Sequence, residues 1–186
     1  MGFHTFDPAE VDRLEDPTRF RFCSREELVG ALPTGPEVRL LDIGSGSGFY
    51  TDEIAPFVGA LCAVDLQPAM HRRYADRGVP GNVSLVTAGA ERLPFADGSF
   101  DGGFSTMTFH ESASGPSLAE LARVLDDGGR AVFVDWSGAG SGTAGPPVDE
   151  RYDVDAAGTM LADAGFRVVT ARERTETFLL VGERDR

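Results

Sequence analysis

The sequence predicts an α/β protein of three layers, in which a mainly parallel sheet of seven strands lies between two layers of helices. Two observations support this fold class. From Val38 onward, short apolar runs alternate with stretches of helical periodicity, which is the pattern of parallel strands joined by crossover helices. Only a short turn separates the last two apolar runs, which therefore predict an antiparallel hairpin at the C-terminal edge of the sheet.

The 186 residues suit one domain with a sizeable core, so we expect a single domain over residues 1–186, with its sheet within 37–182. The preceding segment, 1–36, is predicted to be helical. Residues 7–16 begin with Asp7 before a proline, and residues 24–32 begin with Ser24 followed by Glu27 three positions later; both are helix-start patterns.

The first half of the predicted core alternates strand and helix. Its strands are short apolar runs, and its second helix begins at Pro68 and ends at Gly78, as helices commonly do. The predicted elements are a strand at 38–43, a helix at 49–58, a strand at 60–66, a helix at 68–78 and a strand at 83–88.

The second half continues the alternation, with a fourth strand that its glycines weaken. The elements are a strand at 100–107, a helix at 117–125, a strand at 130–136, a helix at 153–165 and strands at 166–173 and 175–183. Residues 137–151 are rich in Gly, Ser and Pro. A long loop at the carboxyl end of a strand is either part of a binding site or a disordered surface loop.

The charge of the chain limits its partners. A net charge of −13 argues against a nucleic-acid partner, which requires a basic surface. All 17 basic residues are arginine, and a lysine-free, acid-rich surface is typical of proteins from salt-loving organisms; a GC-rich genome is the alternative explanation. High salt would screen the self-repulsion of this charge.

Several other sites and locations are also disfavoured by the sequence. No apolar run approaches membrane-spanning length, and the N-terminus lacks a secretory signal, so we expect a cytoplasmic protein without a membrane partner. Cys23 and Cys62 make neither a disulfide framework nor a metal cluster. Three scattered histidines complete no metal site either, and we expect none.

Residues 40–54, "LLDIGSGSGFYTDEI", contain the most informative turn, with glycines at 44, 46 and 48. A phosphate-binding loop would need a lysine, which the chain lacks. A dinucleotide loop would need its third glycine at position 49, which is Phe49. The turn therefore favours a ligand that has no phosphate and lies against bare backbone. Asp42 can hold the loop amides or face a cationic ligand group, and Asp65 can accept hydrogen bonds from ribose hydroxyls.

This Asp-x-Gly-x-Gly-x-Gly pattern, from Asp42 to Gly48, resembles the class I S-adenosylmethionine-dependent methyltransferases. The segments "AERLPFADGSFD" (90–101) and "ELARVLDDGGRAVFVDW" (120–136) extend the resemblance to the type 11, ubiquinone/menaquinone-biosynthesis-like group. It implies a Rossmann-like core, S-adenosyl-L-methionine as cofactor and methyl transfer to a small-molecule acceptor by in-line displacement. The implied cofactor-binding residues are Asp42, Gly44, Ser45, Gly46, Gly48, Tyr50, Asp65, Leu66, Gly89, Ala90, Glu91, Ser105 and Thr106.

One of these positions departs from the family pattern. The family usually has Asp, which bonds the adenine amino group, where this chain has Gly89. The backbone beside Gly89, or Glu91, is left to take part of that contact. Tyr50 either lies over the ligand or packs its own helix.

His110 is the candidate catalytic base, since it follows the fourth strand and lies beside Glu111; a capping or packing role is the alternative. On the acceptor side, Trp136 forms an apolar wall or fills core, and Arg151 attracts an anionic substrate or is solvated. By resemblance, Phe6, Phe20 and Phe22 in the N-terminal segment either cover the site as a lid or are core.

Two other functions remain open at this point. One is a non-catalytic S-adenosylmethionine-binding module, which the glycine at position 89 keeps open. The other is an NAD-dependent dehydrogenase, which the glycine spacing disfavours. The sequence leaves the acceptor atom and the oligomeric state undetermined.

Overall fold

The computed structural model describes residues 6–185 and confirms the seven-stranded sheet, with strand order β3-β2-β1-β4-β5-β7-β6. Strands β1 to β5 pair in parallel, and β7 runs antiparallel to both β5 and β6. The predicted hairpin therefore forms the sheet edge, with its second strand on the inside. The strands are β1 (Gly35–Ile43), β2 (Val58–Asp65), β3 (Val83–Thr87), β4 (Phe100–Thr106), β5 (Leu125–Trp136), β6 (Phe166–Glu173) and β7 (Thr177–Arg184).

Six α-helices flank the sheet in the described part of the chain, and short 3₁₀ turns connect some of the elements. The helices are α1 (Arg25–Ala31), α2 (Phe49–Ile54), α3 (Pro68–Arg77), α4 (Phe109–Ser112), α5 (Gly115–Val124) and α6 (Val154–Asp163). The 3₁₀ turns are Pro8–Leu14, Pro17–Arg21, Ala55–Phe57 and Val148–Glu150. Not one of these helices is both long and apolar enough to span a bilayer.

The side-chain alternation of the strands builds the predicted three layers. Leu40 packs with α1, α2 and α3 on one face, and its neighbour Leu41 packs with α5 and α6 on the other. Both leucines are fully buried, and each contributes about 1.5–3 kcal/mol by leaving water. Because both faces of the sheet are covered, its strands read as nearly continuous apolar runs.

The N-terminal segment differs from its prediction. The helix expected at 7–16 is a 3₁₀ stretch, interrupted at Glu10, where the backbone is not helical. A second 3₁₀ turn follows, beginning at Pro17 and capped by the Asp16 carboxylate, which accepts a hydrogen bond from the Thr18 amide. Pro17 has no amide hydrogen and favours extended backbone at Asp16, so an α-helix cannot continue through this point.

Two other elements differ from the sequence prediction for local reasons. Helix α2 ends at Ile54 and continues as a 3₁₀ turn that contains Pro56. The short helix α4 was not predicted, because four residues carry no periodic signal. The chain enters α4 through Met107, whose φ of 57° makes it the one non-glycine residue with positive φ in the described part of the chain.

The order of the strands creates a crevice. From β1 the chain proceeds outward to β2 and β3, and then returns to place β4 on the other side of β1. Loops after β1 and β4 therefore lead in opposite directions and open a gap at the carboxyl ends of the strands.

Candidate functional site

A cavity of about 1090 Å³ lies at this crevice. The loops after β1, β2, β3, β4 and β5 line it, and residues of the N-terminal segment and of the 144–146 loop close over it. Pockets for one small ligand commonly measure about 300–1,000 Å³. The cavity therefore has room for a cofactor and a small acceptor together.

The glycine loop forms one wall of the cavity. Gly44, Gly46 and Gly48 all have positive φ (74°, 56° and 88°), which side-chain-bearing residues rarely adopt. The amides of Gly44 and Ser45 donate to the Val64 carbonyl at 2.8 and 3.0 Å. The loop is therefore fastened to the neighbouring strand β2 and is preformed.

Asp65, at the end of β2, completes this fastening. Its Oδ2 accepts the Gly46 amide at 2.8 Å, and its Oδ1 accepts the Gln67 amide at 2.8 Å. The carboxylate also lines the cavity, next to Leu66, which is 61% exposed. An acceptor group at this position suits ribose hydroxyls.

Asp42 does not hold the loop amides, contrary to the first of its two predicted roles; Asp65 does. Asp42 lies beneath the loop, 1% exposed, where Oδ2 accepts the Thr51 hydroxyl at 2.6 Å. Its Oδ1 has no partner in the part of the chain that the structure describes. Burial, together with the charge of Asp65, raises the pKa of Asp42 to about 7.

We predict that Asp42→Asn removes a pH-dependent loss of stability. The pKa of Asp42 in the folded state lies above the unfolded value of 3.8. The contribution of Asp42 to the free energy of unfolding is therefore fully present below pH 3.8 and is lost as the pH rises through about 7. The variant is expected to match the parent near pH 4 and to exceed its free energy of unfolding at pH 8. Urea unfolding at steps between pH 4 and 8 measures this, with Asp163→Asn, an exposed site, as the charge-matched control. Parallel pH profiles for parent and Asp42→Asn would contradict it.

Gly48 is constrained by its neighbour as well as by its backbone. A β-carbon at this position would lie 2.3 Å from the ring of Tyr74, which is fully buried. The Tyr74 hydroxyl donates to Asp52 Oδ1 at 2.5 Å, and this bond fixes the ring. Gly48 therefore lies behind the cavity wall and shapes the turn into α2.

Gly89, Ala90 and Glu91, which the sequence analysis expected at the adenine end of a ligand, line the cavity beside Leu66. The space at Gly89 is open, since an added β-carbon would meet only Leu66 Cδ1, at 3.8 Å. Glu91 Oε1 accepts the Ser114 hydroxyl at 3.0 Å. The Glu91 carboxylate therefore lies on the same cavity wall as Gly89, where the family usually has Asp.

His110 lines the cavity, and its hydrogen-bond partner is Asp135, whereas the adjacent Glu111 contributes through its charge. Nδ1 of His110 lies 2.7 Å from Oδ1 of Asp135, and its Nε2 lies 3.7 Å from Glu111. Asp135 is almost fully buried at the end of β5, and it also accepts the backbone amides of His110 and Trp136. An imidazole held in this way by a carboxylate keeps Nδ1 protonated and leaves Nε2 as the acceptor.

The pKa of His110 responds to two opposing effects. Burial acts to lower the pKa, whereas the hydrogen bond and charge of Asp135 and the charge of Glu111 raise it. The net result is a pKa above the usual histidine value. The Asp135 role was missed because the sequence interpretation paired His110 with its neighbour, although an acid at a strand end is a readable signal.

The other predicted cofactor residues divide between the cavity and the structure around it. Thr106 lines the cavity, whereas the Ser105 side chain is buried outside its wall. Tyr50 touches the cavity, but its hydroxyl donates to the carbonyls of Arg19 and Cys23 at 3.2 and 3.1 Å. Tyr50 thus fastens the N-terminal segment to α2.

Trp136 forms part of the cavity wall, and Phe22 meets its ring edge-on with centroids 4.7 Å apart. Phe6 and Phe22 both line the cavity, consistent with the predicted cover. Phe20 instead packs against the rings of Phe49 and Tyr50, with centroids 4.9 and 6.3 Å away.

Arg151 is neither solvated nor at the cavity wall, so the structure contradicts both readings of this residue. Its side chain is 1% exposed and donates to the carbonyls of Ala144 (2.5 Å), Pro146 (2.8 Å) and Ser137 (3.4 Å). The guanidinium also lies 3.6 Å from Glu176 Oε2. Arg151 shapes the loop from inside and places Ala144–Pro146 against the cavity.

Glu176 holds the same loop from the other side. It accepts the hydroxyls of Ser141 and Thr143 and the amides of Gly142 and Thr143, both amides at 3.1 Å. The hydroxyl hydrogen bonds of Ser141 and Thr143 lower the pKa of Glu176 to about 2. The loop expected to be either binding or disordered is therefore folded, with part of it at the cavity.

The chain resembles known proteins in both sequence and structure. A profile of the methyltransferase domain, type 11, matches residues 41–133, which is half of the chain. A ubiquinone/menaquinone biosynthesis C-methyltransferase from Ectopseudomonas mendocina is 37% identical over 139 residues, covering 68% of this chain and 50% of that protein. The biotin biosynthesis bifunctional protein of Cellvibrio japonicus is 42% identical over 109 residues, covering 58% of this chain and 22% of that protein. The chain thus spans half or less of the length of these curated relatives.

A solved structure resembles the whole described fold. The S-adenosylmethionine-dependent methyltransferase from Aquifex aeolicus superposes with a TM-score of 0.88 at 28% identity. The match covers 96% of this chain and 99% of that one. The likeness therefore includes the sheet, both helical layers and the elements around the cavity.

Proposed function

Because the chain belongs to the type 11 methyltransferase-domain family, we propose that it transfers a methyl group from S-adenosylmethionine to a small-molecule acceptor. One observation carries the proposal. A preformed glycine loop, which lacks the lysine of a phosphate-binding loop, and the Asp65 carboxylate lie in one cavity. The net charge of −13 disfavours a nucleic-acid acceptor.

The residues present fit S-adenosylmethionine. Asp65 would accept the ribose hydroxyls, and the bare backbone of Gly44 to Gly46 would lie against the ligand. Leu66, Gly89 and Ala90 would border the adenine, and Thr106 would border the methionine end. When bound, the sulfonium supplies an activated methyl group, so the protein's task is mainly alignment.

His110 supplies the acid–base chemistry in this proposal. Asp135 holds its Nδ1–H, so Nε2 can take a proton from an acceptor hydroxyl, thiol, ammonium or acidic carbon at the cavity. Residues 6–22 and the Ala144–Pro146 turn close the cavity over this point and limit the access of water.

The proposal is tested by titrating S-adenosylmethionine and S-adenosylhomocysteine into the protein by calorimetry, in dilute buffer and in molar salt. Asp65→Ala, which removes the proposed acceptor for the ribose hydroxyls, is expected to lose binding of both ligands. Transfer is then measured with methyl-labelled cofactor on a panel of phenols, quinols, thiols and carboxylic acids. Absence of binding at every salt concentration would refute the proposal.

Gly89 supports one alternative, a module that binds S-adenosylmethionine without transferring its methyl group. The open space at this position leaves the adenine amino group without the usual carboxylate. Tight binding of both nucleosides, together with no labelled product from any acceptor, would favour this alternative.

We predict that Gly89→Asp tightens S-adenosylhomocysteine binding by about tenfold, because it adds a charged acceptor for the adenine amino group. The substitution is sterically allowed, since the new β-carbon meets only Leu66 Cδ1 at 3.8 Å. Calorimetry measures the change, and Gly89→Ala, which fills the same space without an acceptor, is expected to give no gain. Equal affinities for the two variants would contradict adenine placement at this corner.

A further inference from the structure

Arg19 lies at the cavity on the N-terminal segment, and neither the family pattern nor its position in the sequence draws attention to it. Its guanidinium carbon lies 5.1 and 5.0 Å from the ring centroids of Phe49 and Tyr50. One terminal nitrogen donates to the Leu14 carbonyl at 2.5 Å, and the other lies 3.7 Å from the Met107 sulfur. The two rings and this carbonyl fix the orientation of the guanidinium.

The Arg19 guanidinium has no ion-pair partner among the residues that the structure describes, and the buried Asp42 carboxylate acts on it only through its charge, from a greater distance. Among residues 6–185, no carboxylate oxygen lies within 4.0 Å of the Arg19 guanidinium, whereas Arg13, another arginine at the cavity, pairs with Glu10. Burial lowers the pKa of Arg19, because the charged form has lost much of its water. A guanidinium has five N–H donors, and this one has a single strong acceptor. The remaining donors are available for a ligand.

We propose that Arg19 is the carboxylate-binding residue of this cavity. An oriented, partly desolvated guanidinium without an ion-pair partner among the described residues is suited to a planar carboxylate, which it can bind through two parallel hydrogen bonds. The inference rests on the proposed function, since it concerns the ligands of that same cavity.

The position of Arg19 favours the cofactor's own carboxylate as the source. Asp65 ends β2, and Met107, which contacts Arg19, follows β4; these two strands lie on opposite sides of β1. A ligand whose ribose binds Asp65 and whose chain crosses the glycine loop would bring its amino-acid end toward Arg19. An acceptor that carries a carboxylate is the second source.

The test compares S-adenosylmethionine with decarboxylated S-adenosylmethionine, which lacks only the carboxylate, by calorimetry. We expect Arg19→Gln to weaken S-adenosylmethionine binding by about 10- to 100-fold. Binding of the decarboxylated analogue should change by no more than about twofold, because a charge-assisted bond to the carboxylate is all that differs. Arg19→Lys should restore part of the affinity, and Arg13→Gln should preserve the parent ratio between the two ligands.

A second arm identifies an acceptor carboxylate. Benzoate is titrated into the protein loaded with S-adenosylhomocysteine; loss of its binding in Arg19→Gln, with an unchanged ratio for the two nucleosides, would assign Arg19 to the acceptor. Equal weakening of both nucleosides would show a merely structural role and overturn the proposal, as would no change in either arm. If the parent binds neither nucleoside, the proposed function fails separately, and benzoate titrated into the protein alone decides the role of Arg19.

Discussion

Asp135→Asn is expected to lower kcat by about 10²- to 10⁴-fold while leaving the affinity for S-adenosylhomocysteine unchanged. The Asp135 carboxylate is the group that keeps the proton on His110 Nδ1, 2.7 Å away. An amide can present either oxygen or NH₂ to the ring and allows the other tautomer, in which Nε2 carries the proton and cannot act as a base. Asp135 lies outside the cavity wall, so cofactor binding should not change.

The same substitution is also expected to shift the pH dependence of kcat/KM. His110 acts as a base only when neutral, and its pKa in the parent is raised by Asp135 against the opposing effect of burial. In Asp135→Asn burial remains and the charge is gone, so the acid limb of the kcat/KM profile should move to lower pH. The ¹⁵N chemical shifts of the His110 ring report both the tautomer and the pKa without any acceptor.

Glu111→Gln is the matched control, because it removes the other carboxylate near His110, 3.7 Å from Nε2, and leaves the Nδ1 hydrogen bond intact. Its effect should be limited to a small downward shift of the His110 pKa. A parent-like kcat in Asp135→Asn, or a Nδ1–H tautomer that persists in it, would remove the proposed base.

Gly48→Ala is expected to lower the free energy of unfolding by about 2–5 kcal/mol, from the strain of a left-handed alanine and from overpacking. Its φ is 88°, and the new β-carbon would lie 2.3 Å from the Tyr74 ring, which cannot retreat because it is buried and bonded to Asp52. A loss of this size is a large fraction of the stability of an ordinary domain.

Urea unfolding at fixed pH measures this loss, with Gly89→Ala as the control, since position 89 has ordinary φ and open space. Tyr74→Leu in the Gly48→Ala background tests the steric part: the double variant should lose less than the sum of the single changes. Equal losses for Gly48→Ala and Gly89→Ala would show that the ring contact is not limiting.

The sheet and the glycine loop were predictable because their signals are local. The strand at Leu40 and Leu41 is an apolar run, and the loop at Gly44 to Gly48 is a spacing pattern. Both are visible within about ten residues of sequence. The turn through Met107 into α4 has no such signal, since a methionine with positive φ is imposed by the surrounding structure.

The cavity wall around His110 was less predictable because its contacts join distant parts of the chain. His110 meets Asp135 because β4 and β5 are neighbours, so the strand order, and not proximity in sequence, pairs them. The interior position of Arg151 depends on a loop that folds back onto it, and on Glu176 in the turn just before β7. Arg19 depends on a 3₁₀ turn in a segment that its sequence predicted only as helical.

The Arg151–Glu176 pair holds one wall of the cavity independently of the glycine loop, which forms another wall. Both anchors lie outside the stretch 139–146 that they hold, and neither belongs to the glycine loop. New sequences could therefore be grafted between these anchors to redesign the proposed acceptor wall, while the proposed cofactor-binding loop is kept unchanged. Divergence among such proteins is then expected to concentrate in this interchangeable stretch, and a library randomised there is the economical starting point for altered acceptor specificity.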